Sequence, residues 1–285
     1  MLSATGLQAQ TLDKIKKEGA LTIGHRDSSI PFSYLDDKQQ PIGYSMDICM
    51  KIADAVKAEL KLPHMEIKMA PVTSATRIPL MANGTIDLEC GSTTNNAERQ
   101  KQVAYAPTTF ITANRFVSKK ATGAANLDAL KGKTIVSTSG TTNIKQVTEL
   151  NASRNLGMTI MAAKDHAEAF LMVETGRAAA FVMDDILLYS LVASAKAPGD
   201  YVVSAEGLSV EPYGVMLRKD DPGFKAVVDK AVTALMASGE IEKIYTKWFL
   251  SPIPPKGINL NLPISPALKR QFAKPTDSPD PKFYE

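Results

Sequence analysis

The sequence predicts an α/β protein with two lobes, each a mainly parallel sheet flanked by helices. A chain of 285 residues can bury two cores of ordinary size. Strand-like and helix-like segments alternate along it, and the alternation restarts after an extended segment at 114–119. The chain is extended again at 209–217. We therefore expect a discontinuous first lobe, 11–115 and 216–285, and an inserted second lobe, 118–212, joined by two hinge strands.

Hydrophobic periodicity and capping residues define the elements of the first lobe. We expect helices at 12–18, from 45 or 46 to 60, at 75–82, at 222–236 and at 241–248, and strands at 20–24, 66–71 and 85–90. Asn95 or Asn96 is expected to cap a further helix that continues to 103. The segment 251–285 holds eight of the seventeen prolines. So many prolines are incompatible with a long helix, and we expect a tail that either wraps over the first lobe or frays.

The second lobe repeats the same alternation. A short helix is expected at 127–130 and longer ones at 143–156 and from 166 to 176, with strands at 133–137, 158–162 and 178–183. The small polar turn 138–142 precedes the first of the long helices. It resembles a phosphate-binding turn but lacks the spacing and the lysine of a P-loop, so nucleotide binding is not indicated.

Composition excludes several classes of protein. The chain is 44% hydrophobic, and 33 basic against 30 acidic residues leave a formal charge of +3 without charge blocks. Neither a nucleic-acid groove nor a polybasic membrane patch is indicated. No apolar run approaches the roughly 18 to 20 residues that span a bilayer. Residues 1–10 are interpreted as disordered or as the remnant of a secretory leader.

Arg99 is the most informative single residue. It follows an apolar strand and the small hydroxylic residues 91–94, and it falls in the first turn of the helix expected from Asn95 or Asn96. A cation is unfavourable at the positive end of a helix dipole, by a few tenths to about 1 kcal/mol, unless a bound anion is held there. Arg77 occupies a comparable position. Ordinary solvated surface arginines are the alternative.

Other polar side chains fall at strand ends or in first helical turns, where parallel sheets form ligand crevices. The full candidate set is Arg26, Ser74, Arg77, Ser92, Thr94, Arg99, Thr141, Thr142, His166 and Asp184. Three arginines, several hydroxyls and one carboxylate form an ionic site, and a guanidinium matches the two oxygens of a carboxylate in one plane. An α-amino acid needs such a group for its carboxylate and an acidic group for its ammonium.

At this point the motifs match a family. The segments 24–26, 73–80, 89–99, 139–142, 164–166, 183–185, 213–222 and 252–255 resemble the periplasmic amino-acid-binding proteins of ABC importers, in particular the glutamate/aspartate-binding members (solute-binding protein family 3). The likeness runs from about Leu12 to the proline-rich tail. It implies the type II periplasmic binding protein fold, capture of L-glutamate or L-aspartate without catalysis, a membrane permease as partner, and a periplasmic monomer with neither cofactor nor metal.

The resemblance also implies a role for each residue. Arg99 holds the ligand's α-carboxylate, with Thr94 and with Thr142 across the cleft, and Asp184 with Ser92 takes the ammonium. The side-chain carboxylate is surrounded by a further set, namely Arg26, Ser74, Arg77 and His166. A neutral ligand would leave two buried arginines without a counter-charge, at a cost of several kcal/mol.

Several alternatives stay open at this stage. His166 is also interpretable as a surface residue at a helix start, and either Asp184 or Asp185 can face the cleft while the other caps a helix. Cys49 and Cys90 can pair in an oxidising compartment or stay separate thiols. An enzyme on the same fold, such as a dehydratase of a carboxylated substrate, would use His166 or Asp184 as acid or base. The third alternative, a receptor's sensory domain, lacks a membrane segment in this sequence.

Overall fold

A computed structural model describes residues 11–285. It contains nine α-helices in that range: α1 Thr11–Glu18, α2 Tyr44–Glu59, α3 Arg77–Ala82, α4 Thr142–Ser153, α5 His166–Glu174, α6 Asp185–Ser194, α7 Pro222–Ala237, α8 Glu240–Phe249 and α9 Pro266–Ala273. Single 3-10 turns include Arg99–Lys101, Leu127–Leu130 and Pro281–Tyr284. The segment 1–10, interpreted above as disordered or a leader remnant, lies outside the described residues.

Fourteen strands lie in the same range. They are β1 Ala20–His25, β2 Ser28–Ser29, β3 Ser33–Leu35, β4 Pro41–Ile42, β5 Glu66–Pro71, β6 Leu88–Glu89, β7 Val103–Tyr105, β8 Phe110–Lys119, β9 Thr134–Thr138, β10 Thr159–Ala163, β11 Ala180–Asp184, β12 Tyr201–Val203, β13 Ser209–Tyr213 and β14 Met216–Arg218. Strands and helices alternate through most of this order, as the periodicity predicts.

Two sheets divide most of these strands, and a small sheet holds β2, β3 and β4. The first has the order β5-β1-β6-β14-β7, in which only β14 runs against the others. The second has the order β10-β9-β11-β8-β12, with β13 also paired to β8; here only β8 is reversed. The prediction of two mainly parallel sheets flanked by helices is confirmed.

The chain passes twice between the two sheets, through β8 and β13. These strands pair antiparallel, with Phe110 opposite Tyr213 and Asn114 opposite Ser209. An aromatic cluster packs against the first-sheet end of this pair, where the Phe110 ring stacks on Phe249 at 4.9 Å and lies edge-on to Phe32 at the same distance. The cluster therefore ties α8 to the base of the connection between the lobes.

The tail 251–285 forms one short helix and lies against the first lobe. Leu268 and Phe272 of α9 are buried. Main-chain and side-chain hydrogen bonds join the tail to Thr108, from Thr108 N to Thr276 O at 2.9 Å and from Gln271 Nε2 to Thr108 O at 3.1 Å. The tail thus covers the segment that leads into β8.

The helix expected from Asn95 or Asn96 to 103 is wrong. Asn96 does act as a cap, because its Oδ1 accepts from Arg99 N at 2.9 Å, but only the 3-10 turn Arg99–Lys101 follows. Val103–Tyr105 instead forms β7 and pairs with β14, which comes more than 100 residues later. That long-range pairing ends the helical turn after one repeat.

Cys49 and Cys90 form a disulfide. It joins α2 to the residue that directly follows β6, where the polar segment 91–99 begins. The open alternative is thus resolved in favour of pairing. By the chain-entropy argument a bond that closes a loop of about 41 residues stabilises the fold by about 4 kcal/mol.

Candidate functional site

A small cavity lies between the two lobes, with about 200 Å³ of space that includes the solvent at its mouth. Eight of the ten predicted site residues line it: Ser74, Arg77, Ser92, Thr94, Thr141, Thr142, His166 and Asp184. Asn143, Met183 and Leu187 complete the lining. Arg26 and Arg99 are not part of the lining itself, but both are buried beside lining residues. The structure thus gathers residues from six separate stretches of the chain.

Arg99 is held by main-chain carbonyls of both lobes. Its Nη1 donates to Thr94 O at 2.8 Å, and its Nη2 donates across the cleft to Gly140 O at 3.3 Å. Since only one 3-10 turn begins at Arg99, a helix dipole does not account for its position. Its contacts across the cleft show that the lobes are closed on each other.

Arg77 begins the short helix α3, two residues later than expected. Its Nη1 donates to Thr93 Oγ1 at 2.5 Å and to Ser92 O at 3.2 Å, both on the segment after β6. Burial, together with the positive charge of Arg99, lowers the pKa of Arg77 to about 9. Burial likewise lowers the pKa of Arg26, although carboxylates that include Glu89 oppose that shift. Desolvation is the main cause of both shifts, because burial disfavours the charged form of a guanidinium group.

Unpartnered buried polar atoms cluster at this end of the cavity. Within residues 11–285, no hydrogen-bond partner is present for Arg26 Nη1, Ser74 Oγ, Arg77 Nε, Glu89 Oε1, Ser92 Oγ or His166 Nε2. Folded proteins pair the large majority of such atoms, since each unpaired one costs about 1 to 3 kcal/mol. Several unpaired donors from both lobes, gathered around one cavity, indicate a polar ligand with oxygen acceptors.

His166 comes from the second lobe at the start of α5. The Asp165 side chain caps this helix by accepting from Glu168 N, which fixes the direction in which His166 enters the cleft. Its Nδ1 lies 2.8 Å from Thr138 Oγ1. Burial, with the positive charges of Arg26 and Arg77, holds the pKa of His166 well below its usual value. The ring is therefore a neutral member of the site and not a surface residue.

Thr141 and Thr142 line the cavity, but their hydroxyls are committed elsewhere. Thr141 Oγ1 donates to Thr138 O at 2.7 Å and accepts from Ile144 N at 3.3 Å as the cap of α4. Thr142 Oγ1 donates to Glu211 Oε2 at 3.0 Å. What these residues present to the cavity is therefore the N-terminal turn of a twelve-residue helix, a favourable place for an anion.

Asp184 faces the cavity at the end of β11, and Asp185 does not. The Asp184 carboxylate accepts from Asn143 Nδ2 at 2.7 Å and from the Tyr213 hydroxyl. Burial and the nearby Glu211 carboxylate raise the pKa of Asp184 to about 7. Asp185 instead pairs with Arg115 at 3.1 Å outside the cavity. Among the described residues no cation pairs with the buried Asp184 carboxylate, and a positively charged ligand group would supply one.

Sequence reasoning missed Glu89 and Asn143. Asn143 Nδ2 donates to Asp184 Oδ1 and also, at 2.9 Å, to Asn114 Oδ1 of β8. Glu89 is fully buried in β6. A signal for Glu89 exists, because an acidic residue between the apolar Leu88 and Cys90 requires a partner when it is buried. Nothing in the sequence distinguishes Asn143 from an ordinary helix-start residue.

The arrangement suits a zwitterion. Arg99 and the start of α4 form one anion position, the Arg26–Arg77 end forms another, and Asp184 forms a cation position. Among the described residues there is no group of three or more His, Cys, Asp and Glu side chains that would hold a metal ion. In the same range, every helix is too short or too polar to cross a bilayer.

Two mainly parallel sheet-and-helix lobes, joined by a pair of strands around an ionic cavity, define a protein of the type II periplasmic binding protein class. More specifically, the chain belongs to family 3 of the bacterial extracellular solute-binding proteins, whose model matches residues 21–251.

Individual relatives agree with this assignment. The chain is 55% identical to the L-glutamate/L-aspartate-binding protein of Pseudomonas aeruginosa, over 94% of this chain and 89% of that one. It is 47% identical to the glutamate/aspartate import solute-binding protein of Escherichia coli, over 94% and 88%. Among solved structures, an ancestral amino acid-binding protein described as a precursor of cyclohexadienyl dehydratase superposes with a TM-score of 0.70 at 27% identity, covering 84% of this chain and 99% of that one.

Proposed function

We propose that this protein captures L-glutamate and L-aspartate in the cavity between its lobes and delivers them to the membrane permease of an ABC importer. The observation that carries the proposal is the pair of buried, unpartnered guanidinium nitrogens at one end of the cavity, Arg26 Nη1 and Arg77 Nε. The names of the Pseudomonas and Escherichia relatives support the same ligands.

Each end of the ligand has its own residues in this proposal. Arg99, with Thr94 and the main-chain N–H groups at the start of α4, holds the α-carboxylate. Asp184 and Ser92 take the α-ammonium, which supplies the cation that the buried carboxylate lacks. The side-chain carboxylate accepts from unpartnered donors, which belong to Arg26, Ser74, Arg77 and His166.

The ligand's contacts come from both lobes, so only the closed form gains the full binding free energy. Binding therefore shifts a hinge equilibrium toward closure. The hinge lies in β8 and β13 within this proposal, with the first lobe built from 11–115 and 216–285 and the second from 118–212. The closed monomer then docks on the permease in the periplasm.

Titration calorimetry with arginine variants tests the assignment. Arg99→Ala removes the contact to a group that all amino acids share, so it abolishes binding of every ligand. Arg77→Ala weakens glutamate more than glutamine, by about 100-fold or more, because breaking a buried ion pair costs about 3 to 5 kcal/mol. Arg154→Ala, a change at an exposed arginine at the end of α4, is the matched control and leaves binding unchanged.

Two results would contradict the proposal. The first is a preference of the unmodified protein for arginine or glutamine over glutamate. The second is turnover, since the enzyme alternative requires product to appear when the protein is incubated with a carboxylated ligand and followed by NMR. The binding free energies of glutamate and aspartate are further expected to differ by no more than about 1 to 3 kcal/mol, because the two ligands differ by one methylene group.

A further inference from the structure

Glu89 is a charged residue beneath the proposed acidic end of the site, and it has no part in the roles assigned above. It belongs to β6 and is fully buried. Its Oε2 accepts from Thr93 Oγ1 at 2.5 Å, whereas no residue in 11–285 donates to its Oε1. A carboxylate in this position is costly to bury unless its charge is used.

Thr93 connects Glu89 to Arg77. The hydroxyl gives its only proton to Glu89 Oε2, and its oxygen accepts from Arg77 Nη1, also at 2.5 Å. Glu89 therefore fixes the orientation of the hydroxyl, and the hydroxyl fixes one edge of the guanidinium. The other edge, which carries the unpartnered Nε, remains available to the cavity.

Gly91 keeps Glu89 and Arg26 close together. A Cβ added at this glycine would overlap Glu89 Oε1 and would lie 2.9 Å from Arg26 Cγ. No side chain can therefore separate the carboxylate from the stem of Arg26. Nevertheless, within the described chain Glu89 forms no ion pair of 4.0 Å or less with either arginine. Its charge acts on both of them through space.

We propose that Glu89 is a specificity-determining residue, a resident counter-charge that offsets one of the two positive charges of Arg26 and Arg77. This inference rests on the proposed function. Two guanidinium groups and one carboxylate, with neutral His166, leave a single positive charge for the ligand's side chain to neutralise. Glu89 thereby makes the ligand-free site tolerable and limits how strongly the site prefers an acidic over a neutral side chain.

Glu89→Gln is expected to sharpen the preference for an acidic ligand. Glutamine keeps the shape and an acceptor for Thr93 but removes the negative charge, so the end of the site gains net positive charge. A unit charge acting over about 10 Å at an effective dielectric constant of about 20 changes an equilibrium by roughly tenfold. The ratio of the glutamine Kd to the glutamate Kd is therefore expected to rise by about tenfold or more in the variant.

Asp221→Asn is the matched control. Asp221 is also a buried carboxylate of the first lobe, and it accepts hydrogen bonds from Thr11 N and Phe224 N. Met216 of β14 lies opposite Glu89 of β6, and the two strands are antiparallel. From Met216 the chain therefore runs away from the site, so Asp221 lies toward the other end of the strands. This variant loses stability but keeps the ratio of the two Kd values.

Calorimetric titrations of glutamate and glutamine into the unmodified protein, Glu89→Gln and Asp221→Asn decide the matter. A ratio that rises only in Glu89→Gln supports the inference. Equal weakening of both ligands, or an unchanged ratio, overturns it and leaves Glu89 with a purely structural role. Failure of the unmodified protein to bind glutamate is a different outcome, which overturns the proposed function itself.

Melting temperatures provide a second measurement if the ligand-free Glu89→Gln protein unfolds. Saturating glutamate is then expected to restore folding, because its carboxylate replaces the missing charge, whereas saturating glutamine does not. Equal failure with both ligands overturns the inference.

Discussion

Gly140 of the second lobe lies against the main chain of the first lobe. It belongs to the turn before α4 and has a φ of +75°. A Cβ added there would lie 2.6 Å from Ala75 Cα and 2.7 Å from Ala75 N. These are main-chain atoms of the first lobe, so they cannot rotate away as a side chain can. Gly140→Ala is therefore expected to hinder closure while leaving the open form intact.

The size of the effect follows from these distances. Non-bonded carbon atoms prefer a separation of about 3.5 to 4.0 Å, so the lobes must part by roughly 1 Å at this point. The hydrogen bond from Arg99 Nη2 to Gly140 O, already 3.3 Å long, is then lost. A hydrogen bond to a charged group contributes about 1.5 to 3 kcal/mol, which predicts glutamate binding weaker by about 10- to 150-fold.

Gly132→Ala is the control. Gly132 is also in the second lobe with a φ of +70°, but a Cβ there meets nothing within 4 Å. Both changes place alanine in the left-handed region, at about 1 to 2 kcal/mol, in the open and the closed forms alike. Calorimetry gives the two affinities, and small-angle scattering with and without glutamate measures closure. Equal affinities for the two variants, with the same compaction on binding, would refute the reasoning.

Three further predictions concern protonation, the disulfide and the tail. An ammonium group beside Asp184 lowers the pKa of this carboxyl group from about 7, so glutamate binding at pH 6 should release protons and should weaken as the pH falls. Calorimetry in buffers of different ionisation enthalpy measures the number of protons released. The Asp184→Asn variant should release none. Cys49→Ser should lower the free energy of unfolding by about 4 kcal/mol in urea titrations, so an unchanged midpoint would contradict the pairing with Cys90. Leu268→Ala should cost about 2 to 5 kcal/mol in the same assay, whereas a tail that does not pack would give no change.

Local patterns in the sequence predict much of the site. Residues at strand ends and first helical turns, such as Ser74 and Asp184, are recognisable because parallel sheets place these positions at one edge. His166 is located in the same way, since Asp165 caps its helix. Eight of the ten predicted residues line one cavity for this reason. The sequence does not predict that these residues are buried or that some of their polar atoms lack partners, because both properties depend on contact with the second lobe.

Other features depend on contacts that no local pattern encodes. The turn at Arg99 ends after one repeat because Val103–Tyr105 pairs with β14. The pairing of Cys49 with Cys90 requires α2 to pack against the end of β6. Gly140 is recognisable as a turn residue from its neighbours, but its contact with Ala75 arises only when two lobes meet. The role proposed for Glu89 depends on the charges of Arg26 and Arg77, which lie on separate segments, so no local pattern predicts that role.

Arg99 was expected at a helix start but is buried at the cleft for another reason. The expected helix dipole is absent, yet the residue is buried because carbonyls of Thr94 and Gly140 hold its guanidinium from two lobes. One of these bonds exists only in the closed form. If Arg99 also holds the α-carboxylate, as proposed, then the group that recognises every amino acid is the group that senses closure. Recognition and hinge motion are in that case coupled through a single side chain, since a ligand that orients Arg99 also favours the closed arrangement.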